Sequence, residues 1–161
     1  MALYTAKIGE IVVGKKGDQL QALALGSCIG LVVYDPKLKV AALAHILLPE
    51  KSKFSKPGPP GKYGTEATGE SIKNVISRGG LRDNLVAKLA GGAKMFESLT
   101  SGTNMDIGSR NIASVTKSLG EHGIKILARD VGDNQGRTII FDVDSCLLKI
   151  KQANGTIFKT I

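Results

Sequence analysis

The sequence has no tryptophan, only seven tyrosines and phenylalanines together, two cysteines, two histidines and no long apolar run. Each shortage removes a class of function. Seven aromatic rings offer few stacking platforms for bases, and none of the usual nucleic-acid-binding motifs is present, so nucleic acid is not an expected partner. Charges or turn residues interrupt every apolar stretch, so no direct membrane insertion is expected. The opening MALYTAKIGEIVVGKKG has no basic start followed by an apolar core, which reads as the absence of a signal peptide and a cytoplasmic location. In a reducing compartment Cys28 and Cys146 are expected as free thiols rather than as one disulfide. No CxxC, HExxH or acidic loop supplies a metal-ligand pattern.

What the chain does have is 161 residues and a basic balance, with 22 Lys and Arg against 14 Asp and Glu and a pI near 9.6. The length suits one domain over residues 1–161, burying roughly 70% of the surface that the unfolded chain exposes. The basic residues are spread along the sequence, which fits either a solvated surface or an acidic protein partner.

The stretch LALGSCIGLVVYD, residues 23–35, reads as a strand, a tight turn at Gly26-Ser27-Cys28 and a second strand. Around it, residues 5–13 read as a first strand closed by a turn at Gly14–Gly17, and Asp35-Pro36 makes a turn before a strand over 38–48 that carries His45. Residues 49–62 hold four of the five prolines and four lysines, and form a loop that either is a surface excursion or borders a site near His45. A helix is expected over 63–77, with Ala67, Ile72, Val75 and Ile76 on one face, and a second over 109–119, with Ser109 as N-cap and Ile112, Val115 and Leu119 buried. A strand over 84–90 leads to Gly91-Gly92, with Met95 and Phe96 packed in the core and a loop over 98–104. Four further strands, 124–128, 137–143, 146–151 and 156–161, follow, with hairpin turns at Asp133–Gly136 and Asn154-Gly155. The sum is an α+β domain with strand-rich mixed sheets and two amphipathic helices on one face.

Cys28 is the leading nucleophile candidate, because backbone amides converging at the Gly26-Ser27-Cys28 turn can favour a thiolate and hold an oxyanion. His45 is the natural base, and His122, in LGEHG after a helix, is its exposed rival. The residues alone leave a second account open, with Cys28 a small buried hydrophobe and His45 a core histidine bonded to a carbonyl. Cys146 reads as structural.

The run LALGSCIGLVVYD followed by AALAHILLP resembles the core motif of the CheD family, chemoreceptor glutamine deamidases of chemotaxis. The resemblance continues in order through PGKYGTEA (60–67), LAGGAKMF (89–96), IGSRN (107–111) and GIKILARDVGDNQGR (123–137). It implies a layered α/β/β sandwich and hydrolysis of glutamine side chains on methyl-accepting chemotaxis receptors. Cys28 and His45 would then be the nucleophile and base, with the Gly26 and Ser27 turn holding the oxyanion, and with no metal or organic cofactor. A glutamyl methyl ester is a second substrate that the same intermediate would accept. A CheC-type phosphatase is the implied partner, and an adaptor role through it is the alternative function. Thr65 and Asp133 depart slightly from the family pattern. Ala22 departs more, since family members commonly place there a threonine that orients the histidine; a water, a carbonyl or a weakened site would take its place.

Overall fold

The computed structural model describes residues 1–95, 106–153 and 156–161, with only the backbone of 157 and 158. Among these, ten strands form two five-stranded sheets. Sheet one contains β1 (Leu3–Thr5), β3 (Gln19–Leu25), β8 (Arg137–Asp142), β9 (Leu147–Gln152) and β10 (Ile157–Thr160), in that order. Sheet two runs β2 (Ile11–Lys15), β5 (Val40–Ile46), β4 (Ile29–Asp35), β6 (Val86–Gly91), β7 (Lys125–Val131). Helices α1 (Gly64–Ser77) and α2 (Ile107–Glu121) cover the outer face of sheet two. The order is helices, sheet two, sheet one: the α+β layered sandwich expected from the sequence.

Every residue of β4 and β5 is buried, which is why both read as near-continuous apolar runs. Alternation decides which layer each side chain meets. Ile29, Leu31 and Val33 of β4, with Ala42, Ala44 and Ile46 of β5, pack under Ala67, Ile72 and Val75 of α1 and Val115 and Leu119 of α2. The intervening positions Cys28, Val32, Tyr34, Ala41 and Leu43 face the other way, onto Leu20, Leu25, Ile139, Phe141 and Ile150 of sheet one. Sheet one meets solvent on its far side, so β9 alternates exposed and buried residues along Leu147–Ile150.

Several expectations are corrected. Residues 5–13 are two strands in different sheets: β1 lies parallel to β3, and β2 lies antiparallel to β5. Between them Gly9 adopts φ +84°, and Lys7 N–H donates to Glu10 Oε1 while Glu10 N–H donates to Lys7 O, so the chain turns where continuous extension was expected. Residues 26–28 are likewise a crossing from sheet one to sheet two, and Asp133–Gly136 is a crossing from sheet two back to sheet one, not a hairpin. Asp106, not Ser109, caps α2: its carboxylate accepts the Ser109 N–H at 2.8 Å, and the helix starts two residues early. Ile76 is 41% exposed because it sits one step around the helix from buried Val75. Met95 is 46% exposed. The expected core place of Phe96, the loop over 98–104 and the Asn154-Gly155 turn fall outside the described residues.

The strand expected from 84 begins at Val86, because Arg82–Asn84 form a short 3-10 turn held by Asp35. One oxygen of the fully buried Asp35 accepts from Lys37 and Leu38 N–H, both at 2.9 Å; the other accepts from Leu81 N–H at 2.9 Å and Asn84 Nδ2 at 3.1 Å. Burial alone would raise this carboxyl, but the four hydrogen bonds outweigh it and hold it below the ordinary 3.8. Its contribution to stability is therefore present above pH 3.8 and lost as pH falls through the lowered value. Asp35→Ala should destabilise the fold by about 2–4 kcal/mol in urea titration at pH 7, with the difference from the native chain shrinking below pH 4.

Candidate active site

The crossing at Gly26-Ser27-Cys28 is shaped by its carbonyls. Gly26 O accepts from Ala93 N–H at 2.9 Å, Ser27 O from Asn111 Nδ2 at 2.9 Å, and Cys28 O from Gly92 N–H at 2.9 Å. A trans peptide points its N–H opposite to its C=O. Holding the Gly26 and Ser27 carbonyls inward therefore turns the Ser27 and Cys28 N–H groups the other way, and neither donates to an acceptor among the described residues.

Glycine is required where the second segment approaches. A Cβ on Gly91, at φ +111°, would stand 2.2 Å from Cys28 O, and one on Gly92, at φ +69°, would meet Ile112 of α2 at 2.5 Å. The N-terminal turn of α2 then presses on the same segment, since a Cβ on Gly108 would lie 2.5 Å from Ala93 O.

His45 enters from β5. The register pairs His45 with Gly30 and Ile46 with Ile29, so one step further Cys28 lies across from Leu47, and Cys28 and His45 face the inter-sheet layer as diagonal neighbours. Such diagonals are about 7–8 Å apart, less at Cβ, within reach of a ring. Gly30, opposite His45, has no side chain; Ile139 and Leu25 of sheet one fill that space.

The ring is held by the crossing between β1 and β2. His45 Nδ1 is 3.0 Å from Ala6 O, His45 N–H donates to Glu10 O, and Gly9 N–H donates to His45 O. A carbonyl can only accept, so Nδ1 carries the proton and Nε2 is a bare lone pair. Nε2 is buried without a hydrogen-bond partner. Burial pushes the His45 pKa below the ordinary 6.5, against the smaller upward pull of the Ala6 bond, and burial pushes the Cys28 thiol above the ordinary 9.0. At neutral pH both groups are uncharged.

The other candidates fall elsewhere. His122 ends α2, half-buried with its ring beside Gly69 of α1 rather than exposed, and takes no part in this arrangement. Cys146 is a free thiol at the end of the sandwich, 3.7 Å from Lys39 Nζ. The loop over 49–62 is tied down at its far end, where Leu47 and Leu48 N–H donate to Lys62 O and Gly61 N–H to Gly9 O. It therefore flanks the segment that holds His45.

Three features carried no role in the sequence reading. Ala6 supplies its carbonyl through the backbone and leaves no signal in residue type. Asn111 was part of a motif, and its place four residues before buried Val115 could have marked it as an inward-facing amide. Arg137, 3% exposed, donates to Asp130 Oδ2 at 2.9 Å and to Gly91 O at 3.2 Å, tying β8 of sheet one to β7 and β6 of sheet two. Lys159 also meets Asp130, at 3.2 Å.

An open groove of about 390 Å³ reaches this corner at Gly26, between Met95 and the Gly136–Thr138 segment, with Lys151 and Gln152 on its far wall. Met95 lies over Gly26, where a Cβ would meet its Cγ at 3.1 Å. A larger cavity of about 500 Å³ around Lys94, Asp133 and Gln135 adjoins it through Arg137 and Gln152. Neither is lined by Cys28 or His45.

The family model described as CheD chemotactic sensory transduction matches residues 47–152. This chain belongs to the CheD family. Among its relatives, a protein of Methanococcus vannielii named probable chemoreceptor glutamine deamidase CheD is 40% identical over 95% of this chain and 92% of its own. A Clostridium novyi protein with the same name is 40% identical over 89% of each chain. The Thermotoga maritima chemoreceptor glutamine deamidase CheD is 38% identical over 92% of this chain and 90% of its own. The family-model match begins at Leu47, after Cys28 and His45, whereas the similarity to the Methanococcus protein covers all but about a twentieth of this chain.

Gly91→Ala should lower stability by about 2–5 kcal/mol, combining an unfavourable positive φ with a clash against Cys28 O. Thermal unfolding by circular dichroism measures it, and Gly120→Ala, whose Cβ meets nothing within 4 Å, is the control with little change.

Proposed function

We propose that this chain hydrolyses selected glutamine side chains on the cytoplasmic region of methyl-accepting chemotaxis receptors, giving glutamate and ammonia. The observation that carries the proposal is the bare, buried Nε2 of His45, a residue diagonal to Cys28 across the ladder of β4 and β5. The names of the relatives support the substrate class.

Because both groups rest uncharged, the thiol is activated as it reacts. His45 Nε2 takes the Cys28 proton while the sulfur attacks the carboxamide carbon, and the Ser27 and Cys28 N–H groups receive the developing oxyanion. The imidazolium returns its proton to the nitrogen, the C–N bond breaks, and ammonia leaves a thioester. Water, deprotonated by Nε2, adds to the thioester carbonyl; the C–S bond breaks, and the thiolate recovers the proton from the imidazolium. A glutamyl methyl ester would follow the same course with methanol leaving. No step calls on a metal or organic cofactor. The Ala6 carbonyl orients the ring, so the missing hydroxyl at Ala22 is not needed to fix the tautomer. The alternative is an adaptor that binds receptors and a CheC-type phosphatase and regulates signalling through CheY. Binding without turnover would be its mark.

Mass spectrometry of a receptor cytoplasmic fragment tests the reading. Cys28→Ala should abolish conversion, and His45→Gln should slow it by about 10²–10⁴-fold. Ala22→Thr should change the rate less than about threefold, since Nδ1 already has its acceptor. If only Ala22→Thr converts the fragment, the adaptor reading replaces the enzyme.

The pH profile is a separate check. Neutral His45 is required, so kcat/KM should fall on the acid side with an inflection below 6.5, and the alkaline limb should lie above 9.0. An alkaline limb below 9.0 would point instead to a resting thiolate–imidazolium pair, whose imidazolium loses its proton there.

A further inference from the structure

We propose that Asn111 is the positioning residue of this site, setting the spacing between Cys28 and His45 through one amide nitrogen. The inference rests on the deamidase reading for its consequence and on geometry for its content. Asn111 lies on α2, fully buried, and its Nδ2 donates to Ser27 O at 2.9 Å and to Leu47 O at 3.1 Å. Ser27 precedes Cys28, and Leu47 is two residues beyond His45 and across from Cys28.

The ladder between β4 and β5 has its last paired rung at Ile29 and Ile46. Beyond it Leu47 N–H turns away to Lys62 O at 3.0 Å, leaving the Ser27 and Leu47 carbonyls near one another. Two carbonyls cannot bond to each other. A primary amide has two N–H groups on one atom and can satisfy both, acting as the missing rung. An aspartate here would bring a third acceptor, and a serine one donor. Asn111 Oδ1 is meanwhile buried without a partner, so the side chain is held by what its donors do. The helix cannot drift, because its Asp106 cap and the close approach of Gly108 to the Gly92 and Ala93 carbonyls fix its first turn. The amide also holds the Ser27 carbonyl inward, which is what turns the Cys28 N–H outward.

The test uses the full chain with Asn111→Leu, similar in size and without donors, and Asn111→Ser, which keeps one donor and serves if leucine prevents folding. Two readouts are taken at a temperature where circular dichroism is native: deamidation kinetics on a receptor fragment, and the pH dependence of iodoacetamide alkylation at Cys28, resolved from Cys146 by peptide mass. Asn111→Leu is expected to lose about 10–100-fold in kcat with KM nearly unchanged, and Asn111→Ser to fall between it and the native chain. Native Cys28 alkylation should show a step below pH 6.5 set by His45, absent in His45→Gln and in Asn111→Leu, and weakened in Asn111→Ser. A native kcat and a native step in a folded variant overturn the proposal, as does a rise in KM with kcat unchanged or a kcat that falls only with the folded fraction. Should the native chain not deamidate the fragment, the deamidase reading fails, and should Cys28→Ala still deamidate, Cys28 as nucleophile fails; in either case the alkylation step continues to report whether Asn111 couples the two groups.

Discussion

At the corner where the chain leaves sheet one for sheet two, three successive carbonyls are each taken by a protein donor at 2.9 Å. Peptide planarity then fixes the direction of the N–H groups on the other side. The glycines at 91, 92 and 108 follow from that requirement. The donors for Gly26 and Cys28 are the amides of Ala93 and Gly92, which reach them only because Gly91 and Gly92 adopt positive φ and present no Cβ. Gly108 lets α2 close against the same segment, and α2 delivers Asn111 to the third carbonyl. One short crossing thus dictates side chains, or their absence, across two distant stretches of sequence.

The same construction sets the electrostatics. A thiol and an imidazole between two sheets are each driven toward the neutral form by desolvation, so in the proposed reaction ionisation would wait until a carbonyl carbon arrives. An unpaired buried nitrogen costs about 1–3 kcal/mol. The fold carries that cost at Nε2 alongside well-satisfied buried charges elsewhere, with Arg137 and Asp130 paired across the sheets and all four acceptor positions of Asp35 filled. Low polarity around the pair also means that hydrogen bonds to a developing oxyanion would act with little screening.

The sequence was most legible where burial is uniform. β4 and β5, with Cys28 and His45 at their ends, could be read because both faces of each strand are covered and the apolar runs are continuous. The two helices were legible from period, although Asp106 stood just outside the pattern that marked Ser109. Sheet assignment was not legible. A turn that crosses between layers and one that closes a hairpin use the same residues, so 26–28 and 133–136 could not be told apart from ordinary turns without knowing which strands pair, and the break at 6–10 was hidden inside what reads as one strand over 5–13. Backbone contributions were also invisible: the Ala6 carbonyl, unlike a histidine or cysteine, has no side-chain identity to read.

That last point bears on Ala22. A threonine at this position would offer a hydroxyl, which needs its own partner to be aimed and which competes with other donors. A carbonyl needs neither, provided that its segment is fixed. Here the segment is fixed three times over: Ala6 N–H donates to Gln21 O, Gly9 N–H to His45 O, and His45 N–H to Glu10 O. The strand carrying His45 and the crossing that orients its ring are therefore one hydrogen-bonded unit, and Ala22, fully buried among Ala6, Leu20 and Ile139, contributes packing to it. Loss of a side-chain hydroxyl is thus weak grounds for regarding the site as degenerate. What matters for the proposed base is that something accepts from Nδ1 and stays in place, and the backbone meets both conditions.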